Sequence, residues 1–181
     1  MILALALSLT LLCTGLVIGF QTNIGEDAGQ RGNTSLSWWD AFRGVLAVNG
    51  PAVALLYSGV LTVGVGTLIA LPILAIYIGA TLRASTDLLG ANQVFGTIWV
   101  YAPLEFMAVA FGAASGLMPL LSALRAAFWL HAEERPIRAY LGEIGNSLRI
   151  LVIATSLMLL AASVEASVIM LNSTLEGRNI Q

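Results

Sequence analysis

Between Arg43 and Arg83 the chain runs 39 residues without a charged side chain, and between Asp87 and Arg125 it runs 37 more with only one, Glu105. A single helix over the first stretch would reach about 58 Å, roughly twice the ~30 Å hydrocarbon core of a bilayer. Two membrane crossings are therefore needed there. Gly64, Gly66 and Pro72 fall in the middle of the stretch, and such residues turn the chain or interrupt a helix. The sequence thus predicts a tight hairpin near residues 64–70. Together with the other apolar runs this gives an all-α integral membrane bundle, one membrane domain over residues 1–181, with five spans at 1–20, 45–65, 68–83, 94–123 and 149–172.

Composition supports the same class and removes others. The chain is 58% hydrophobic and 10% charged, with a mean hydropathy of +0.89, whereas soluble domains carry roughly 25% charged residues. The formal net charge is −2, with eight Arg and no Lys, so there is no basic stripe of the kind nucleic acid requires. Cys13 is the sole cysteine and lies inside the first apolar run, which excludes an intrachain disulfide or a cysteine metal cluster. Residues 1–20 lack the basic start of a signal peptide, and Leu12 precedes Cys13 where a lipoprotein-type cleavage site wants a small residue. A retained span is expected.

Four of the eight arginines, Arg125, Arg135, Arg138 and Arg149, cluster in one segment. Positive charge favours the cytoplasmic side, so the loop at 125–149 and the N-terminus are expected on the cytoplasmic side of the membrane. The loop at 21–43 and the C-terminus are then outside, whereas a four-span arrangement would keep the last two spans where they are and put the N-terminus outside. Trp38, Trp39 and Phe42 read as an interfacial entry helix, because amphipathic aromatics settle at headgroup level. Pro136 suits a first helical turn, and the mixture of Phe128, Trp129, Ile137, Tyr140, Leu141 and Ile144 with charged residues predicts a helix on the membrane surface to about Ser147.

Glu105 has a counterpart, Glu165, alone in the last apolar run. A carboxyl at bilayer depth is costly and usually faces a bundle interior or a wet cavity. Tyr101, Glu105, Ala108, Gly112, Ser115 and Pro119 share one helical face, and Gly112 to Gly116 is a GxxxG pair that allows close helix contact. Ala154, Ala161, Ala162, Glu165 and Asn172 form a similar stripe. At 1.5 Å per residue, Glu105 is about 16 Å below Val94 and Glu165 about 10 Å below Asn172, so both carboxyls are expected in the outer half of one bundle. Asn49, near the outer start of the second span, is placed to join them. Two readings of the cluster are open: a polar pin between helices, or a proton, ion or ligand site.

Catalytic motifs are weak. Gly112-Ala-Ala-Ser-Gly116 is faintly like a serine-protease motif, but the only histidine, His131, is in the cytoplasmic segment, away from where a base is needed. Gly64-Val-Gly66 lacks the third glycine of a dinucleotide loop, and one His and one Cys among scattered acids give no metal-ligand spacing. Neither an enzyme nor a cofactor is expected. Asn33-Thr-Ser and Asn172-Ser-Thr match a glycosylation sequon, too short a pattern to carry weight.

The stretch from Gly96 to Leu117, with Tyr101-Ala-Pro-Leu-Glu105 followed by a small-residue run, resembles the His-Gly-x-x-Glu-Leu-x-Ala signature of the stage II sporulation protein M family. Leu159-Leu-Ala-Ala-Ser-Val-Glu165-Ala is similar to that family's closing Ala-x-x-Glu-Ala helix, and Phe42-Arg-Gly-Val-Leu-Ala-Val-Asn49 resembles its entry into the second span. Tyr101 and Ala102 stand where the family has His and Gly. The resemblance implies a polytopic bacterial membrane protein without catalytic activity, a scaffold or assembly factor working with cell-envelope partners. Its alternative is a membrane subunit of a transporter or an ABC-type exporter of bacteriocin-like peptides, with the carboxyls in the path and a separate ABC ATPase, since the chain has no ATP-binding loop. Expected contacts are the lipid bilayer and other membrane proteins, no nucleic acid, and a second copy of the chain if the small-residue stripes pack between chains.

Overall fold

The computed structural model describes residues 1–22, 37–128 and 135–178, with side chains to 171. Residues 23–36 of the outer loop expected at 21–43, residues 129–134 with His131, and the side chain of Asn172 lie outside the described residues. The described elements are helical: α1 (Ile2–Gln21), α2 (Trp38–Tyr57), a 3-10 turn (Ser58–Val60), α3 (Val65–Leu89), α4 (Ala91–Ile98), α5 (Ala102–Phe128) and α6 (Pro136–Arg178). Four of them, α1, α3, α5 and α6, are long and apolar enough to cross a membrane. Their apolar residues lie on all sides, as in helices that meet both protein and lipid. In α5, 61% of the most apolar stretch is buried inside the protein, against 28% in each of the other three. Helix α5 is the centre of the bundle.

Contacts fix the helix directions. Gly15 faces Pro72 and Ala75, while Gly19 and Phe20 face Ile76, Gly79 and Arg83, so α1 and α3 run parallel. Asn49 meets Glu105, Val53 meets Gly112 and Leu56 meets Gly116, so α2 and α5 run parallel. Ser147 on α6 meets Ser115 on α5, and Glu165 meets Glu105, so α6 runs back against α5. The chain therefore traverses the bundle in alternating directions through α1, α2, α3, α5 and α6. One end gathers the turn at 58–64, the start of α6 and the end of α5; the other gathers the starts of α2 and α5 and the ends of α1 and α3. The core draws Leu12, Leu56, Leu71, Ala108 and Ala154 from these five helices.

At the first of these ends the backbones meet closely and their polar groups are satisfied by side chains. The end of α2 leaves carbonyls without intrahelical partners. Thr67 donates its hydroxyl to the Leu56 carbonyl at 2.5 Å, and the Tyr140 hydroxyl donates to Val60 at 2.5 Å. Pro119 has no N–H and so frees the carbonyl four residues earlier in α5, that of Ser115. The buried Ser147 hydroxyl donates to it at 2.6 Å. In hydrocarbon an unsatisfied backbone group costs several kcal/mol, which gives these hydroxyls their structural value. Gly116 permits the approach: a Cβ there would collide with the Leu56 carbonyl and the Thr67 hydroxyl.

Several expected boundaries are corrected. The hairpin turns at 58–64 rather than 64–70. Gly64, at φ 83°, starts α3, while Pro72 sits inside that helix, tolerated as prolines in membrane helices are. The segments expected as the second and third spans, at 45–65 and 68–83, correspond to α2 and α3, of which α3 is long and apolar enough to cross a membrane. The entry aromatics belong to α2 itself, which starts at Trp38 because Ser37 and Asp40 form a capping box. The span expected at 94–123 is broken at Trp99–Tyr101 into α4 and α5. Pro103 lies in the first turn of α5, where a missing N–H loses nothing. The loop at 125–149 and the span at 149–172 are also redrawn, since α6 continues unbroken through 43 residues from Pro136. Helix propagation depends on its own backbone bonds, so the charges at Arg138 and Arg149 do not end it.

Candidate functional site

Three helices each contribute one polar side chain to a single cluster. Asn49 of α2 donates its Nδ2 to Oε1 of Glu105 at 2.7 Å. The Glu105 carboxyl also lies beside that of Glu165 of α6, close enough for the two to interact. All three residues are half-buried. A hydrogen bond between two carboxyl groups requires a proton on one of them, because an ionised carboxylate only accepts. An amide donor thus approaches a pair of neighbouring acids from the side.

The local folding of α5 positions Glu105. Tyr101 stands just before the helix, and its carbonyl accepts from the backbone N–H groups of Leu104 and Glu105, at 3.0 and 3.2 Å. Glu105 therefore lies in the first turn, where the positive end of the helix dipole favours negative charge. Tyr101 itself is half-buried beside the cluster's helix start.

The small residues serve different contacts. Ala108, Gly112, Ser115, Gly116 and Pro119 of α5 are buried, as are Ala154, Ala161 and Ala162 of α6. Gly112 faces Val53 and Leu56 of α2, and Gly116 faces the end of α2 and Thr67 of α3. The GxxxG pair thus receives α2 and the hairpin. Among the described residues no three His, Cys, Asp or Glu side chains gather as a metal group would require.

Above the cluster the Trp38 indole N–H donates to the Ser167 hydroxyl at 3.2 Å, two residues beyond Glu165. Trp38 stacks on Phe42 with ring centroids 5.2 Å apart and planes within 8°, while Arg43 lies 5.9 Å over Trp39. Sequence reasoning placed these aromatics at an interface but missed the tie to α6, for which a lone Trp and Ser far apart in the chain give no local signal. It also passed over Ser37-x-x-Asp40 and Pro103, both readable as helix starts.

No protein-family model, no curated protein and no solved structure matches this chain. The resemblance to the stage II sporulation protein M family therefore rests on the quoted residues alone.

Proposed function

We propose that this chain is a membrane subunit of a bacterial transporter or exporter in which Glu105 and Glu165 exchange a proton or cation. The observation that carries the reading is the carboxyl-to-carboxyl contact supported by Asn49. A pin between helices needs only a neutral donor and acceptor, and intramembrane acids are expensive to retain. Five spans fit this reading. Helix α2 alternates with the others in direction, and its 20 residues reach about 30 Å, the thickness of the hydrocarbon core. Its lower apolarity comes from Asp40 and Arg43 near its mouth and from Asn49, which is paired. The arginine-bearing ends of α5 and α6 lie beside the hairpin, which favours a cytoplasmic position for that end and an outer position for the cluster. Energy from ATP would come from a partner subunit.

The test separates titration from shape. Glu105→Gln and Glu165→Gln keep size and hydrogen bonding. We expect each to remain folded in detergent yet lose the protonated-carboxyl band of the pair in infrared difference spectra between acid and alkaline buffer. An unchanged band in both variants would overturn the reading.

The second reading is a non-enzymatic scaffold working with cell-envelope proteins, the role that the family resemblance implies. Its specific support is the start of α6, whose 43 residues span about 64 Å, well beyond the membrane core. Ile137, Leu141 and Leu148 on this segment are 74%, 60% and 51% exposed. Co-purification in mild detergent distinguishes the readings: an ABC ATPase supports export, and cell-wall hydrolases support the scaffold.

A further inference from the structure

Helix α2 is held differently along its length. Below Gly50 and Pro51 it is packed through the buried Val53 and Leu56, against Gly112 and Gly116 of α5. At Gly50 itself and at the exposed Gly44 above it a Cβ would meet no atom within 4 Å, and Ala41 is the buried residue of that half. Pro51 lies inside the helix, so its ring displaces the hydrogen bond to the Ala47 carbonyl at the same level. Prolines with adjacent glycines are where helices kink. Beside this point, between α2 and α6, is an open cavity of about 250 Å³ whose lining includes Leu46, Gly50, Val53, Thr155 and Met158. The helix thus has a weakened joint with empty space next to it.

The part above the joint, Trp38 to Asn49, buries Ala41 and makes two polar contacts with its neighbours. Ser37 and Asp40 cap its start with mutual hydrogen bonds. Trp38 ties its outer end to Ser167 of α6, and Asn49 ties its inner end to Glu105. Each contact is a side-chain hydrogen bond at a half-buried or exposed position, and such bonds contribute little net stability.

We infer that the outer half of α2 is a gate, hinged at Gly50–Pro51 and latched by Trp38–Ser167 and Asn49–Glu105, whose opening uncovers the Glu105–Glu165 pair to the outer side. The gate gains its purpose from the reading of that pair as an exchange site, but its motion is measurable without any substrate. A kink of about 20° at the joint moves Trp39 by roughly 5 Å, given 1.5 Å per residue over the intervening turns.

Spin labels on cysteines test it in a Cys13→Ser background in lipid nanodiscs. One pair, Trp39→Cys with Leu171→Cys, spans α2 and α6 above the joint; the second, Leu55→Cys with Val152→Cys, spans them below. All four positions are exposed. We expect a narrow distance distribution below the joint, and above it a second population about 5 Å longer. Trp38→Phe keeps the ring and removes the indole donor, so the longer population should rise about fivefold, the shift that loss of one ordinary hydrogen bond gives. Gly50→Ala combined with Pro51→Ala restores the helix bond and should suppress that population. Equal widths above and below the joint in the Trp38→Phe variant, or populations indifferent to the hinge substitutions, would overturn the gate. Neither outcome touches the infrared test of the carboxyl pair, so the two ideas fail separately.

Discussion

The two ends of the bundle are built on different principles. At the hairpin end, backbones touch: Gly116 lies against the Leu56 carbonyl, and Thr67, Tyr140 and Ser147 each satisfy a carbonyl that a turn or a proline has freed. At the opposite end, α2, α5 and α6 meet through polar side chains, Asn49, Glu105, Glu165, Trp38 and Ser167, with a cavity below them. Backbone packing has one arrangement and no cheap alternative, because separation exposes peptide groups to hydrocarbon. Side-chain contacts can be exchanged for water or for a ligand at little net change. The difference places rigidity at the hairpin and adaptability at the carboxyls.

The sharpest way to break that comparison is to insert volume at the rigid end. Gly116→Val forces a branched side chain into the Leu56 carbonyl, where neither backbone can retreat. We expect loss of the folded monodisperse protein in detergent, beyond the 1–3 kcal/mol usual for overpacking. Gly112→Ala, in the same GxxxG pair, has ordinary contacts starting at 3.4 Å and should remain near wild type. Equal thermal stability of the two variants would show that the close approach at Gly116 is not what holds the hairpin.

Next in size is the removal of a single hydroxyl. Ser147→Ala leaves the Ser115 carbonyl, already deprived of its helical partner by Pro119, buried without a donor. The expected loss is about 1–3 kcal/mol, the desolvation penalty of one unsatisfied group. Pro119→Ala in the same chain returns an N–H to that carbonyl and should recover much of the loss. Unfolding in detergent for the single and double variants forms a cycle, and simple additivity would sink the account.

At the adaptable end the corresponding comparison is between Leu and Gln at position 105. Glu105→Leu leaves the half-buried Asn49 amide without its acceptor, and about 1 kcal/mol of stability should go with it. Glu105→Gln keeps an acceptor and should stay close to wild-type stability. Equal stability of the two variants would mean that the Asn49 contact has no structural weight.

What the sequence disclosed follows the same division. The apolar runs announce membrane helices because bilayer thickness sets a length that composition must meet. The lone carboxyls were legible for a related reason, since an acid in such a run needs a partner, and the structure brings Glu105, Glu165 and Asn49 together. Helix ends were less legible. Pro72 looked like a terminator but lies within α3, whereas Pro103 looked unremarkable and marks the start of α5. A proline's meaning depends on whether neighbours satisfy the carbonyl it frees, which no local pattern reveals. The continuity of α6 was hidden because Arg149 bounds the apolar run, and a helix need not end at a charge. The parallel contact of α1 with α3 through Gly15, Gly19 and Gly79 also went unread, though Gly15-x-x-x-Gly19 was visible as a small-residue pair.

The smallest effect, and the one with the clearest sign, concerns the turn that joins α2 to α3. Val63 and Gly64 both adopt left-handed backbone conformations, at φ 52° and 83°. For an L-residue that region costs roughly 1–2 kcal/mol, and a β-branched side chain makes it an outlier. Val63 is 55% exposed, so its side chain contributes little packing in return. Val63→Gly should relieve the strain, less the entropy that glycine loses on folding, for a net gain of about 0.5 kcal/mol. Gly64→Ala should act in the opposite direction, because its new Cβ takes on the same backbone penalty and collides with the Leu120 side chain of α5. Neighbouring substitutions of opposite sign in one turn are hard to obtain from a general change in flexibility, which would move both the same way. Thermal unfolding of the two single variants in one detergent decides it. If Val63→Gly destabilises as Gly64→Ala does, the exposed valine is anchoring the turn, and the rigid end of the bundle extends further than its backbone contacts indicate.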